Sequence, residues 1–219
     1  MRYEIDHAFV WTAAGAPAAD RLVSLGFTEA SSREHPGQGT ANRRFVFRNA
    51  MLEFLWVRDE REALTAGGGR LKLLDRWRRR NNGASPFGLC LRPADGDARA
   101  GEPFPSWDYR PSWLPSAWSI QVDQGSESPA SPLLFCLPFS SGSDHTGRTP
   151  AHPSGVSSLT GLRIEGPGLG ALRTRLPDTL GAGFETSEGS TPGMDVIFDR
   201  RARGISFDLS PALPIRLHW

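Results

Sequence analysis

Residues 3–11 alternate along an extended chain, so that Tyr3, Ile5, His7, Phe9 and Trp11 fall on one face of a predicted strand. An Ala-rich stretch from about Ala13 to Leu25 reads as a helix stopped by Gly26. A weaker strand near residues 28–33 follows. The loop His35-Pro36-Gly37-Gln38-Gly39-Thr40 comes next, marked by its proline and glycines. Residues 43–48 and 50–57 form two strands joined at Asn49. In the second of these, Met51, Glu53, Leu55 and Val57 face one way, and Leu52, Phe54 and Trp56 the other.

Residues 59–80 carry a helical pattern broken by Gly67-Gly68-Gly69. The basic run Arg76-Trp77-Arg78-Arg79-Arg80 sits at that helix's C-terminal end, where the helix dipole favours cations. The middle third offers strands at 87–91, 118–122 and 133–137. Between the first two, residues 104–115 are rich in proline and aromatics; they cannot be helical and are expected to pack over a core or a pocket mouth.

The end of the chain repeats the pattern of its start. Leu159–Ile164, a helical stretch to Gly183-Phe184, Asp195–Phe198 and Ile205–Leu209 follow the order of residues 5–10, the first helix, 44–47 and 51–55. The expected fold is therefore α+β: paired βαβββ modules forming curved, mostly antiparallel half-barrel sheets, with an irregular middle region. The expected division is residues 1–58 as a first module, 59–138 as a helical insert with middle strands, 139–156 as a linker, and 157–219 as a second module. Glu53 and Asp208 fall on equivalent strands in this scheme, while Gly161 stands opposite His7.

Composition changes the picture little. The chain has 219 residues and a net charge of +1, which gives no global reason for nucleic acid or an anionic membrane as partner. Its first residues lack the apolar core of a signal peptide and no run is long enough to span a bilayer, so a cytoplasmic protein is expected. Cys90 and Cys136 each lie in a short apolar run and read as buried thiols.

The chemistry concentrates on two residues. His7 lies on an apolar strand, and Glu53 is the ionisable residue in an otherwise apolar one. A buried carboxylate without a partner costs several kcal/mol, so Glu53 must face a wet pocket or a cation. An imidazole and a carboxylate converging inside a curved sheet can supply two ligands to a divalent ion such as Zn, Ni, Mn, Fe or Co. The glycines of 37–40 can offer backbone N–H groups to an anion. Gly166-Pro167-Gly168-Leu169-Gly170-Ala171 imitates a dinucleotide fingerprint, but too little chain follows it for such a domain, so no nucleotide cofactor is expected.

Residues Ile5-Asp6-His7, the run from His35 to Asn42, the strand from Met51 to Val57, and His152-Pro153-Ser154-Gly155 together resemble the vicinal oxygen chelate superfamily, and more narrowly its glyoxalase-like domain proteins, which share the glyoxalase and bleomycin-resistance fold. The resemblance implies a divalent metal with ligands from the first and last strands of each module. Carried onto this chain, these are His7, Glu53 and Asp208, with Glu53 and Asp208 also as proton-moving groups. It implies a small-molecule enzyme of isomerase, lyase or dioxygenase type, and a homodimer as one way to complete a pocket. The competing expectation is a non-catalytic resistance module that sequesters an aromatic ligand. The substrate-facing candidates are His35, Trp11, Trp56, Trp107 and Tyr109, with Trp113 alongside them.

Overall fold

The computed structural model describes residues 3–94, 102–137, 149–176, 180 and 183–219. Most of the linker expected over 139–156 therefore lies outside the described residues.

Two sheets carry the chain. The first begins with β1 (Tyr3–Trp11), passes through the short helix α1 (Ala19–Ser24), and returns as β2 (Ala30–His35), β3 (Thr40–Val46) and β4 (Met51–Val57). Helices α2 (Glu60–Thr65) and α3 (Leu73–Arg78) follow, divided by a turn over Ala66–Gly69 in which Gly67 and Gly68 take positive φ, so the predicted glycine break is real. Asp59 caps α2 through its side chain, accepting from the backbone N–H groups of Arg61 and Glu62. The sheet then continues with β5 (Phe87–Pro93), β6 (Ser106–Tyr109), β7 (Ile120–Asp123) and β8 (Leu133–Cys136). The second sheet holds β9 (Leu159–Gly166), β10 (Phe184–Glu188), β11 (Gly193–Phe198), β12 (Ser206–Asp208) and β13 (Ile215–His218), with α4 (Gly170–Arg175) after β9.

The eight strands of the first sheet lie in the order β2-β3-β4-β1-β5-β8-β7-β6, with β2 and β6 at open edges. Its halves share one connectivity. β1 runs parallel to β4, and β5 runs parallel to β8. The halves join where β1 meets β5 in antiparallel fashion. The partner of the first 58 residues within this sheet is thus the middle third.

The last third is ordered differently, as β10-β9-β11-β13-β12. Its second strand lies beside its first, in parallel, instead of at the far edge. The expected equivalence of 157–219 with 1–58 is corrected on this point. Period-two alternation and a glycine-terminated helix identify element types, but neighbour order in a sheet depends on which faces and edges find partners, which alternation does not encode.

The alternation predicted for β4 holds. Leu52 and Phe54 enter the core between the two sheets, together with Phe45, Leu89, Leu134, Leu162, Val196, Phe198 and Leu217. Leu55 and Val57 enter a second cluster on the other face, which α2, α3 and the segment around Leu114 cover. Arg76 from α3 is fully buried, and its guanidinium donates to the carbonyls of Leu71, Ser126, Ser128, Pro129 and Ser131. It ties the helix to the loop before β8. Burial pushes its pKa down to about 10. Arg78 and Arg79 of the basic run are exposed and pair with Glu60 and Asp75, while half-buried Trp77 donates to the Thr12 carbonyl and Arg80 to that of Trp77.

Candidate functional site

A cavity of about 450 Å³ opens on the α2–α3 side of the first sheet. Its lining includes Arg33 and His35 from β2 and Ile120 from β7. Those strands are six steps apart in the sheet, roughly 29 Å if it lay flat. The sheet must curl around the cavity for both to touch it.

A β-bulge sets the reacting end. Ile5 pairs with Leu91 and His7 with Cys90, leaving Asp6 as an extra residue in β1. Tyr3 and Ile5 consequently pack in the core between the sheets, while His7 and Phe9 line the cavity and Trp11 joins the cluster beneath it. The single predicted face of β1 is corrected accordingly: one inserted residue reverses the alternation. Asp6 and His7 both reach the cavity lining although they are sequence neighbours.

Asp6 is 1% exposed and fixes the imidazole, with His7 Nδ1 2.7 Å from its Oδ1. Arg92 of β5 donates to the other carboxylate oxygen at 3.1 Å and reaches Glu4 as well. This leaves Nε2 as the His7 nitrogen that Asp6 does not engage. Glu53, 8% exposed, comes from the same face of the neighbouring strand, since Phe9 and Glu53 are register partners. His35 stands at the tip of the β2–β3 hairpin with Nδ1 2.9 Å from the Thr40 hydroxyl, so it too has Nε2 left. Arg44 is the register partner of Glu53 on β3 and is held by the carbonyl and hydroxyl of Ser31.

The two imidazoles are pushed in opposite directions. Burial lowers the pKa of His7, but the charge of Glu53 and the contacts with Asp6 outweigh it, and the net shift is upward. Burial also lowers that of His35; Glu53 opposes this, whereas His7, Arg33 and Arg44 add to it, and the net shift is downward. One carboxylate thus lies in the field of an imidazole disposed to hold a proton and another disposed to be without one.

The body of the cavity is apolar. Phe9 and Leu55 come from the first half of the sheet, Leu133 and Phe135 from the second, and Trp113 closes one side near His35, their rings 6.5 Å apart. The proline-rich segment 104–115 does therefore cover the pocket in part, as its composition suggested. Gly88 allows Phe9 to lie flat across β5, since a Cβ there would fall 2.0 Å from the Phe9 ring.

Of the residues proposed from sequence, His7, Glu53, His35 and Trp113 line this one cavity. The others do not. Asp208 is exposed on β12 of the second sheet and accepts the N–H of Ser210, a strand-end turn that also lowers its pKa. It is absent from the cavity lining because the last third does not supply the other half of this sheet. Trp11 is buried beneath the pocket, and Trp56 points to the opposite face. Trp107 and Tyr109 border a separate groove, where Arg70 lies 4.2 Å above the Trp107 ring. The 37–40 glycine turn is not an open anion nest either. Gly37 N–H donates to Glu62, and Gly39 N–H donates to the His35 carbonyl. In the later glycine run, Gly168 and Gly170 give their N–H groups to Glu188.

Sequence reasoning missed Asp6, Arg44 and Phe135. The adjacent Asp6-His7 pair carried a signal for the first. Phe135 could not be found once its half of the sheet was assigned to another segment.

His7 and Glu53 fit a divalent ion in donor type, with His35 as a third donor in place of Asp208. Asp6 at His7 Nδ1 is the carboxylate that orients a metal-binding imidazole by accepting from its other nitrogen. Three donors lying within 4.8 Å of one another among the described residues are instead Asp6, His7 and Cys90. That set does not fit an ion: Asp6 is committed to Arg92 and His7, and burial raises the Cys90 thiol well above its usual range.

Among the described residues, no helix is long and apolar enough to cross a membrane. No curated protein matches the sequence. A crystal structure of a hypothetical protein from Staphylococcus aureus is similar in fold, with a TM-score of 0.62 and 11% identity over 100% of this chain and 99% of that one. The family model for the glyoxalase-like domain matches residues 5–180, which include both halves of the curled sheet with His7, His35 and Glu53. The chain therefore belongs to the glyoxalase-like domain family, a member of the vicinal oxygen chelate superfamily.

Proposed function

We propose that this chain is a glyoxalase-like enzyme that moves a proton on a small oxygenated substrate held in the curled sheet of paired modules β1–β4 and β5–β8. The observation that carries this reading is that His7, Glu53 and His35 line one cavity together with the apolar side chains of Phe9, Leu55, Leu133 and Phe135. A buried carboxylate flanked by imidazoles of opposite disposition is costly to maintain and suits general acid–base work.

The substrate places its oxygens against His7, Glu53 and His35 and its carbon body against Phe9, Leu55 and Phe135. Glu53 takes the proton from carbon, and His7, oriented by Asp6, donates to the oxygen on which charge develops. Arg44 adds positive potential beside Glu53 and favours an anionic substrate group. In a metal-loaded form His7 Nε2, Glu53 and His35 would instead be the donors, and the ion rather than His7 would polarise the substrate oxygens. Trp113 and the apolar walls keep water from the reacting carbon.

The aromatic-sequestration alternative keeps Trp113 as a lining ring, while Trp11, Trp56, Trp107 and Tyr109 lie outside the cavity lining. The test is to purify the protein without added metal and measure bound metals by elemental analysis, for wild type and for His7→Ala with Glu53→Ala, alongside ligand binding. Stoichiometric metal lost in the double variant supports the metal-assisted form. Metal-free protein that binds aromatic ligands undiminished in the double variant would overturn the enzyme reading.

A further inference from the structure

The second sheet carries a chain of side chains that the cavity does not use. Ser206 on β12 and His218 on β13 are register partners. Ile205 and Trp219, one position outward, exchange both backbone hydrogen bonds, so Ser206 and His218 form the non-hydrogen-bonded pair that follows. Side chains approach closest at such pairs. Ser206 Oγ lies 2.8 Å from His218 Nδ1. His218 Nε2 lies 3.0 Å from Asp195 Oδ1 on β11. Arg216 holds that same carboxylate through both oxygens, at 2.8 and 3.2 Å.

Ionised Asp195 can only accept, so His218 Nε2 carries a hydrogen, and in the neutral imidazole Nδ1 is the lone-pair nitrogen. Nδ1 then accepts the Ser206 hydroxyl proton. The hydrogen bonds from His218 and Arg216 hold the Asp195 pKa below its usual value despite burial. Serine, imidazole and carboxylate thus stand in the relation of nucleophile, base and orienting group, with the ring nitrogens exchanged relative to the usual protease arrangement. Ser206 is exposed while His218 and Asp195 are half-buried, so the nucleophile is the accessible member. β12 is an edge strand, and in a non-hydrogen-bonded pair the Ser206 N–H points to that free edge, where it can donate to an oxyanion.

A cavity of about 190 Å³ lies on the same face, bordered by Ile197, the register partner of His218, and by Gly161, Arg163, Arg200 and Arg201. Arg200 and Arg201 sit in consecutive left-handed conformations, φ 55° and 61°, a strained turn that displays both side chains.

We propose that Ser206, His218 and Asp195 form a second, hydrolytic site that accepts small carboxylic esters. It is independent of the His7–Glu53 pocket. Ser206 Oγ attacks the ester carbonyl carbon while its proton passes to His218 Nδ1. The C–O bond to the alcohol breaks, and His218 returns the proton to the departing alkoxide. Water then attacks the acyl-serine with His218 as base, releasing the carboxylic acid and restoring the serine.

The test uses the full chain with 4-nitrophenyl acetate and with a fluorophosphonate. Expected are an acyl-enzyme burst and one equivalent of label mapped by mass spectrometry to Ser206. The label is lost in Ser206→Ala, and its rate falls at least tenfold in His218→Gln and in Asp195→Asn, with unchanged circular dichroism. Absence of label at Ser206 in wild type, or labelling at the same rate in folded His218→Gln, would show the three residues to be a surface hydrogen-bond ladder and overturn the proposal.

Discussion

Asp6 and His7, neighbours in sequence, join side chain to side chain at 2.7 Å where a β-bulge turns both toward one cavity. Asp6 is also the buried partner of Arg92. Its replacement therefore affects both stability and the orientation of the imidazole. Asp6→Asn is expected to cost about 1–3 kcal/mol in urea unfolding, the range for a buried charge left imperfectly paired. An unchanged unfolding midpoint would show that the bulge does not depend on this pair.

Gly88→Ala places a methyl group 2.0 Å from the Phe9 ring, a contact no rotamer of alanine relieves. A loss of about 1–3 kcal/mol is expected from overpacking. Phe9→Leu in the same chain should recover part of it, measured as a double-mutant cycle by thermal unfolding. Additive effects would contradict the packing described.

Arg76 gives its guanidinium to five backbone carbonyls, those of Leu71, Ser126, Ser128, Pro129 and Ser131. Arg76→Leu leaves those acceptors buried and unsatisfied, and about 3–5 kcal/mol of destabilisation is expected. Arg76→Lys should recover only part, because a compact ammonium cannot span the same fork. Equal stability of wild type and the leucine variant in guanidinium titration would refute the clamp.

His152 joins residues 151–155 to the first sheet: Nδ1 accepts the Thr28 N–H at 2.9 Å, and Nε2–H donates to the Val46 carbonyl at 3.1 Å. Protonation of Nδ1 would break the first bond, and burial lowers the pKa below its ordinary 6.5. In this window the unfolded chain binds the proton first, so the contribution to stability is full above about pH 6.5 and falls as pH drops toward the folded value. Thermal midpoints should decline between pH 7.5 and pH 5 more steeply in wild type than in His152→Leu. Parallel slopes would exclude His152 as the source.

The sequence made the first half of the site legible and concealed the second. His7, Glu53 and the His35 turn could be recognised because each breaks a local pattern: a base on an apolar strand, an acid in a hydrophobic run, a glycine turn that must pack closely. Gly39 shows the last point, since a Cβ there would meet the Asp59 carbonyl at 2.3 Å. Sheet order was not legible. Leu133 and Phe135 carry no mark of facing the same cavity as Phe9, and Asp208 fits the periodicity of Glu53 without sharing its sheet. The phase of β1 was hidden for a related reason, since a single bulged residue inverts every position before it and leaves the composition unchanged.

The proposed role of Glu53 is to take a proton from substrate carbon in the pocket it shares with His7 and His35. Its most direct test is deuterium uptake at carbon from D2O, followed by NMR across a panel of 2-oxo acids, α-hydroxy ketones and catechols. Wild type is expected to exchange at least one member's C–H at a rate reduced 100-fold or more in Glu53→Gln, while binding changes less than tenfold. Exchange that persists in Glu53→Gln at the wild-type rate would contradict the assignment.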